Sequence, residues 1–311
     1  MLEDERMKIL ERLEKGEISA AEAGELLEAL DAGEDAEDRG APTEGSEFTD
    51  ITQWSPRGSI SELKIDSFIG GINARAGDAA LVVATVRARG PDAGAAKKFF
   101  EKVKLTFEEE GGKAHVKADM MKGIFDLFRG AKVKVDFDVT LPADVPLVAN
   151  YGTGPLTTSG IAAVNANFGN GNVETDAERV ELNMGNGKVV SRGARELDVN
   201  GGNVRLSLEG ADGLEQFKFN GGNGRVDAVM TRLPENADYA LNLGNGNVHL
   251  ELGHKPHDCL ITFEALSSKL ETDLPFDKQG TKMTYADGEP RARVSVNAAN
   301  VKAVIKIEED K

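Results

Sequence analysis

The sequence predicts a mainly β chain, a right-handed β-solenoid-like body preceded by a small α-helical hairpin. The first sign is a repeat: an apolar residue, a Gly/Asn cluster and a return to Val recur five times between residues 168 and 248. A period-two alternation of apolar and polar residues from about residue 60 is the second. The third is a pair of short leucine-rich segments with helical spacing before residue 33. A repeat at such intervals decides the architecture before any single motif does.

The hairpin comes first. Met7, Ile9, Leu10 and Leu13 have helical spacing and end at Gly16, a residue suited to a C-cap. Ile18 follows, then Ser19-Ala-Ala-Glu22, a capping box in which the two side chains satisfy orphan amides reciprocally. Ala23, Leu26, Leu27 and Leu30 share a face of the second helix. Two helices this short bury too little apolar surface to stand alone. Ile9, Leu10, Leu13, Ile18, Leu26, Leu27 and Leu30 are therefore the expected partner-binding face of a unit spanning 1–32, which dimerises or docks. The competing reading is a weakly ordered amphipathic tail. Residues 33–55 are acidic and small over most of their length and read as a flexible linker extended by self-repulsion.

Residues 56–147 read as an entry β region. Strands are expected over Leu81–Arg89, Val103–Phe107, His115–Ala118 and Val133–Leu141, with Gly111-Gly112 as a hairpin turn and Met120–Arg129 as a short helix or apolar loop. Residues 148–311 hold the repeat. The copies read Phe168-Gly-Asn-Gly-Asn-Val173, Met184-Gly-Asn-Gly-Lys-Val189, Val199-Asn-Gly-Gly-Asn-Val204, Phe219-Asn-Gly-Gly-Asn-Gly-Arg-Val226 and Leu243-Gly-Asn-Gly-Asn-Val248. Tyr151-Gly-Thr-Gly-Pro-Leu156 is an earlier copy and Val296-Asn-Ala-Ala-Asn-Val301 a worn one. The anchors at 151, 168, 184, 199, 219 and 243 lie 17, 16, 15, 20 and 24 apart, which suits solenoid coils of unequal length.

Gly and Asn tolerate positive φ, so the clusters are expected to make the same corner on every coil. The corner residues are Gly169, Asn170, Gly171, Gly185, Asn186, Gly187, Gly201, Gly202, Gly221, Gly222, Gly244, Asn245 and Gly246. Stacking predicts an amide ladder through Asn170, Asn186 and Asn245, and one core row of Phe168, Met184, Val199, Phe219 and Leu243. Successive hairpins in a sandwich or open sheet are the alternative.

The net charge of −16 is lopsided, because residues 1–50 hold 17 acidic and 5 basic side chains. No basic stripe is visible along the sequence, so nucleic acid and direct attraction to anionic lipid are not expected. The single Cys259 excludes an intramolecular disulfide and fits a reducing or a redox-indifferent compartment. No basic segment followed by an apolar stretch opens the sequence, and the longest apolar stretch, Ala79–Val86, is too short to cross a bilayer. The expected location is the cytoplasm, peripheral to the membrane only through a partner.

The Gly/Asn repeats, entered through Val135-Asp-Phe-Asp-Val-Thr-Leu-Pro-Ala-Asp144, resemble the bacterial "putative adhesin" or toast-rack β-solenoid family. The segment from Ile9 to Leu30 resembles the short helical hairpin of LiaX/YvlB-like envelope-stress proteins. The resemblance implies a non-enzymatic scaffold or adapter in cell-envelope stress, with protein partners that include membrane stress sensors and with homo-oligomers through the hairpin. It brings no catalytic residue and no cofactor. The rival reading is a self-assembling structural or adhesin-like solenoid, and a third is a carbohydrate-active enzyme on the same scaffold.

Other motifs carry less. Gly169-Asn-Gly171 lacks the following helix and third glycine of a nucleotide site, and no Lys-Ser/Thr pair follows. The Asp of Gly169–Asp176 occurs in one copy only, unlike calcium-binding repeats. His254-Lys-Pro-His257-Asp258-Cys259 has metal-ligand residue types, but Pro256 denies it a helical face, so it reads as a polar loop with Cys259 a small core residue, a turn that converges His254 and His257 on one ion being the alternative. No two carboxylates are paired at a defined site. Trp54 reads as a packing cap over the first coil.

Overall fold

The computed structural model describes residues 46–120 and 132–307. The predicted hairpin, most of the linker, nearly all of the segment Met120–Arg129 and residues 308–311 lie outside the described residues.

Burial in the long repeat strands shows how one strand makes two walls. In β10 (Ala163–Thr175) the buried positions are Val164, Ala166 and Phe168 before the Gly/Asn cluster, and Val173 and Thr175 after it. The inward phase moves from even to odd across the cluster. Two legs thus face one interior, with a corner between them. The same phase change occurs in β11 (Arg179–Arg192), β12 (Glu196–Glu209), β13 (Gln216–Met230) and β14 (Asp238–Leu252). These strands pair parallel and in register, each on the next. Ile161, Ala177, Ala194, Leu214 and Ala237 are buried in the return turns and close the coil. The body is a β-solenoid.

The coils begin earlier than the sequence suggested. β8 (Leu147–Thr153) and β9 (Leu156–Ser159) are the two legs of the coil under β10. β2 (Glu62–Asp66) and β3 (Ile72–Ala76) form one more coil beneath them. Ile65-Asp-Ser-Phe-Ile-Gly-Gly-Ile72 is thus a copy too worn to be recognised, with Asp in the Asn position. Below this coil the two walls diverge. β6 (Lys113–Met120) and β5 (Val103–Glu110) extend the first wall, their turn being Gly111 and Gly112 at φ 58° and 78°. β7 (Lys132–Leu141), β4 (Leu81–Gly90) and β1 (Ser46–Trp54) extend the second.

β1 takes nine residues near the end of the predicted linker, Ser46–Trp54, because its backbone completes the edge of β4. The sequence reading also missed helix α1 (Ala93–Phe100), which is N-capped by Asp92 through a 2.8 Å bond from the Ala95 amide. Trp54 stacks on Phe107 at 5.6 Å and joins the outermost strands of the two walls, the end cap expected of it.

At the opposite end the chain order and the spatial order part. β18 (Ala292–Ile307) lies between β14 and β15 (Cys259–Thr272), parallel to both. β17 (Lys282–Asp287) pairs antiparallel with the first leg of β15, and β16 (Asp277–Gln279) pairs with β17. Ile305, Lys306 and Ile307, the last residues of β18, therefore lie inside the sheet, paired on β14.

Candidate binding face

The corner is where the repeat concentrates its polar groups. Register places Asn150, Asn167, Asn183, Asn200, Asn220, Asn242 and Asn297 in one column. Asn170, Asn186, Asn203, Asn223, Asn245 and Asn300 form a second, three residues further on. Both columns point outward: all six members of the second are exposed.

In the second column each amide donates to the side-chain oxygen of the preceding coil, at 2.7, 2.6, 2.8, 3.2 and 2.8 Å from Asn186 through to Asn300. The ladder expected through Asn170, Asn186 and Asn245 is present and longer than foreseen. The first column starts from a carboxylate. Asn150 donates to Asp66 at 2.8 Å, Asn167 to Asn150 at 2.9 Å and Asn183 to Asn167 at 2.9 Å. The Asn200 amide turns instead to Asp198 at 2.9 Å, and the chain resumes through Asn220, Asn242 and Asn297 at 2.7, 2.9 and 3.1 Å.

The glycines keep the coils close enough for these bonds. A Cβ on Gly187, where φ is +155°, would lie 1.8 Å from the Gly171 carbonyl oxygen, and one on Gly171 2.0 Å from that of Gly154. Between the columns, Gly169, Gly185, Gly202, Gly222 and Gly244 leave the backbone as the floor of a shallow groove. It widens where Gly201, Gly221 and Ala298 meet Asn220, Asn242 and Asn297.

Register also corrects the expected core row. Val199 and Phe219 align with Ala166, Leu182 and Leu241, whereas Phe168, Met184 and Leu243 align with Gly201 and Gly221. The inner corner volume is shared between two positions. Where β12 has Gly201 it has Val204 in the glycine column, and a Cβ on Gly201 would stand 2.4 Å from the Val204 side chain. Ala298 and Val301 repeat the exchange in β18. In β13 both positions are glycine, and the Phe219 ring fills the space, 2.7 Å from a Cβ built on either. A fixed interior volume admits such exchanges.

Register further overturns the expectation that the body has no basic stripe. Five cations, distant in sequence, stack beside the second ladder: Lys188, Arg205 and Arg225 on consecutive strands, then, past Asn247 on β14, Lys302 and Lys269.

The remaining residue types fall apart as sites. Cys259 is buried, and burial, with Asp287 and Asp258 nearby, pushes its thiol up to about 11, so it stays protonated at neutral pH. His257 Nδ1 lies 2.6 Å from Asp287 on an exposed loop. His254 is exposed on the same loop, and among the described residues no three His, Cys, Asp or Glu side chains converge as metal ligands. Tyr151 stacks on Phe168 at 4.9 Å beneath the corner; its hydroxyl has no partner among the described residues, and burial holds its pKa above the usual phenol value. Among the described residues no helix is long and apolar enough to cross a membrane.

Comparison with known proteins gives a local match and a set of fold likenesses. Residues 4–35 match the model of a SHOCT-like domain. No curated protein matches the chain. Among solved structures, a putative cell adhesion protein from Clostridium sporogenes is 13% identical, with 85% of this chain and 100% of that chain covered and a TM-score of 0.27. A putative lipid binding protein from Parabacteroides distasonis is 12% identical, covering 85% and 98%, with a TM-score of 0.36. A putative adhesin from Parabacteroides merdae is 11% identical, covering 83% and 96%, again with a TM-score of 0.36.

Proposed function

We propose that this is a non-enzymatic binding protein whose solenoid presents the asparagine-lined corner as a repeated, adhesin-like surface. The observation that carries this reading is the outward exposure of the whole continuous ladder beside a glycine floor. A ladder amide uses one N–H and one lone pair on its neighbours and keeps one of each for a ligand. A ligand that repeats along its length can then make the same contact on every coil. Partner contact through Ile9, Leu10, Leu13, Ile18, Leu26, Leu27 and Leu30 belongs to this proposal as the means of docking or dimerisation.

A second reading is an envelope-stress adapter of the LiaX/YvlB type, cytoplasmic and reaching the membrane through a protein partner. It rests on the resemblance of the segment from Ile9 to Leu30, which lies within the residues that match a SHOCT-like domain. Crosslinked capture from the native host separates the two, using the full chain, a form starting at Ser46 so that β1 stays whole, and an Asn203→Ala/Asn223→Ala corner variant. The corner reading expects the captured partner to vanish with the corner variant. Loss with the truncated form alone moves the function to the hairpin and favours the adapter.

A further inference from the structure

The second leg of each coil carries an outward row two residues beyond the continuous ladder. In spatial order from β10 to β15 it reads Asn172, Lys188, Arg205, Arg225, Asn247, Lys302 and Lys269. Every member is exposed. Neighbouring strands lie about 4.8 Å apart, so Lys188, Arg205 and Arg225 form an unbroken run of like charge, as do Lys302 and Lys269. Like charges directly opposite on adjacent strands destabilise a sheet.

The surroundings relieve little of this. Among the described residues only Arg225 has an ion-pair partner, Asp227 at 2.6 Å. The next row outward is Glu174, Val190, Ser207, Asp227, His249, Val304 and Glu271, in which the three carboxylates are scattered. On the other side stands the amide ladder, which is neutral. The body as a whole is close to neutral, so this alignment of cations is a local feature with a local cost to folding. An anion supplied from outside would offset it.

We propose that the cation row and the adjoining amide ladder together bind a linear acidic polysaccharide of the uronate type, laid across the coils along the solenoid axis. The proposal rests on reading the corner as a binding surface and names the ligand class that fits it. Pyranose units in an extended 1→4-linked chain advance by close to one strand spacing, so each coil can meet one sugar. The cations then face carboxylates, and the spare donor and acceptor of each amide face the hydroxyls of the same unit. Asn247 interrupts the charge without interrupting the hydrogen-bonding groups.

The same surface suits other polyanions less well. A single-stranded nucleic acid needs aromatic platforms for its bases, and the exposed large apolar residues among those described, Ile51, Ile69, Val229 and Leu266, include no aromatic. Anionic bilayers favour basic residues next to an apolar face that enters the lipid, whereas here the neighbours are asparagines.

Fluorescence anisotropy of the full chain with a labelled oligogalacturonate tests the proposal, against a neutral galactan of equal length, a thymidine oligonucleotide and phosphatidylserine vesicles. The expected result is oligogalacturonate binding that weakens with added salt. It falls roughly tenfold (about 1.4 kcal/mol) in a Lys188→Gln/Arg205→Gln/Lys302→Gln variant and is unchanged by Lys97→Gln/Lys98→Gln on α1. Removing like charges leaves the triple variant's Tm equal or higher, which separates lost binding from lost folding. Absent binding, equal binding by the triple variant, or tighter binding to the oligonucleotide or vesicles would overturn the proposal. If the full chain ignores oligogalacturonate while Asn203→Ala/Asn223→Ala still loses its captured partner, the ligand class falls and the binding corner survives.

Discussion

The two asparagine ladders run side by side on one corner, yet one is continuous over six coils and the other is cut in two. The backbone register is the same under both, since Asn183 opposes Asn200 just as Asn186 opposes Asn203. What differs is a competing acceptor. Asp198 lies two residues before Asn200 on the same face and takes its amide at 2.9 Å, whereas Asn203, its neighbour in the second ladder, is followed two residues on by Arg205, which accepts nothing. One asparagine per coil supplies the opportunity for a ladder, and the neighbouring polar groups decide whether it closes.

The largest break in this comparison comes from the backbone. Gly187→Ala forces a methyl group into the Gly171 carbonyl and pries β11 from β10, cutting the continuous ladder between Asn170 and Asn186, one seam before the other ladder is interrupted. Denaturant titration should show a loss of about 3 kcal/mol. Gly193→Ala, at φ 73° in open space, should cost only about 1 kcal/mol. The next effect lies in the side chains. Asn203→Ala removes two ladder bonds and Asn183→Ala removes one. Stability should drop by about 1 kcal/mol for the first and about half that for the second, at the low end for exposed groups.

Acid sharpens the contrast because only the interrupted ladder ends on a carboxylate. Burial pushes the Asp66 carboxyl up, but hydrogen bonds from Asn150, Lys64 and His115 together outweigh it and hold the carboxyl below its ordinary value. A depressed folded-state pKa gives stability that is complete above the unfolded value near 4 and is lost as pH falls through the folded one. The wild type should therefore lose stability more steeply than Asp66→Asn between about pH 4 and pH 2, read from urea midpoints. The smallest effect is a repair. Asp198→Ala frees the Asn200 amide to reach Asn183, changing stability by less than about 0.5 kcal/mol. Slower exchange of the Asn200 side-chain amide protons, followed by NMR, would reveal the joined ladder.

Much of this surface was legible in the sequence. The Gly-Asn clusters mark the corners because close coil approach excludes Cβ; positive φ, the reason expected from the sequence, occurs at Gly187 alone among the named corner residues. The phase was misread because the apolar residue before the cluster looked like the anchor. Asparagines spaced by three hold the register, while the apolar volume moves between the Met184 and Gly187 positions from coil to coil. The spatial order of β14, β18 and β15 carried a usable signal in the same terms. The worn copy in β18 keeps Asn297 and Asn300, while β15 offers Glu264 and Ser267 at those positions, so the ladder assigns β18 the place next to β14. The cation row carried none, because its members are dispersed along the chain and only stacking gathers them.

The placement of β18 sets a schedule for synthesis. Every other coil from β10 to β14 can lie down on its predecessor as soon as it leaves the ribosome. β15 emerges first and has to wait for a strand made later to slide in beside β14. Assembly from the other end of the stack therefore runs in step with translation as far as β14 and halts two coils short. A nascent chain arrested before residue 292 leaves the pairing edges of β14 and β15 both open, and one strand, β18, closes them together.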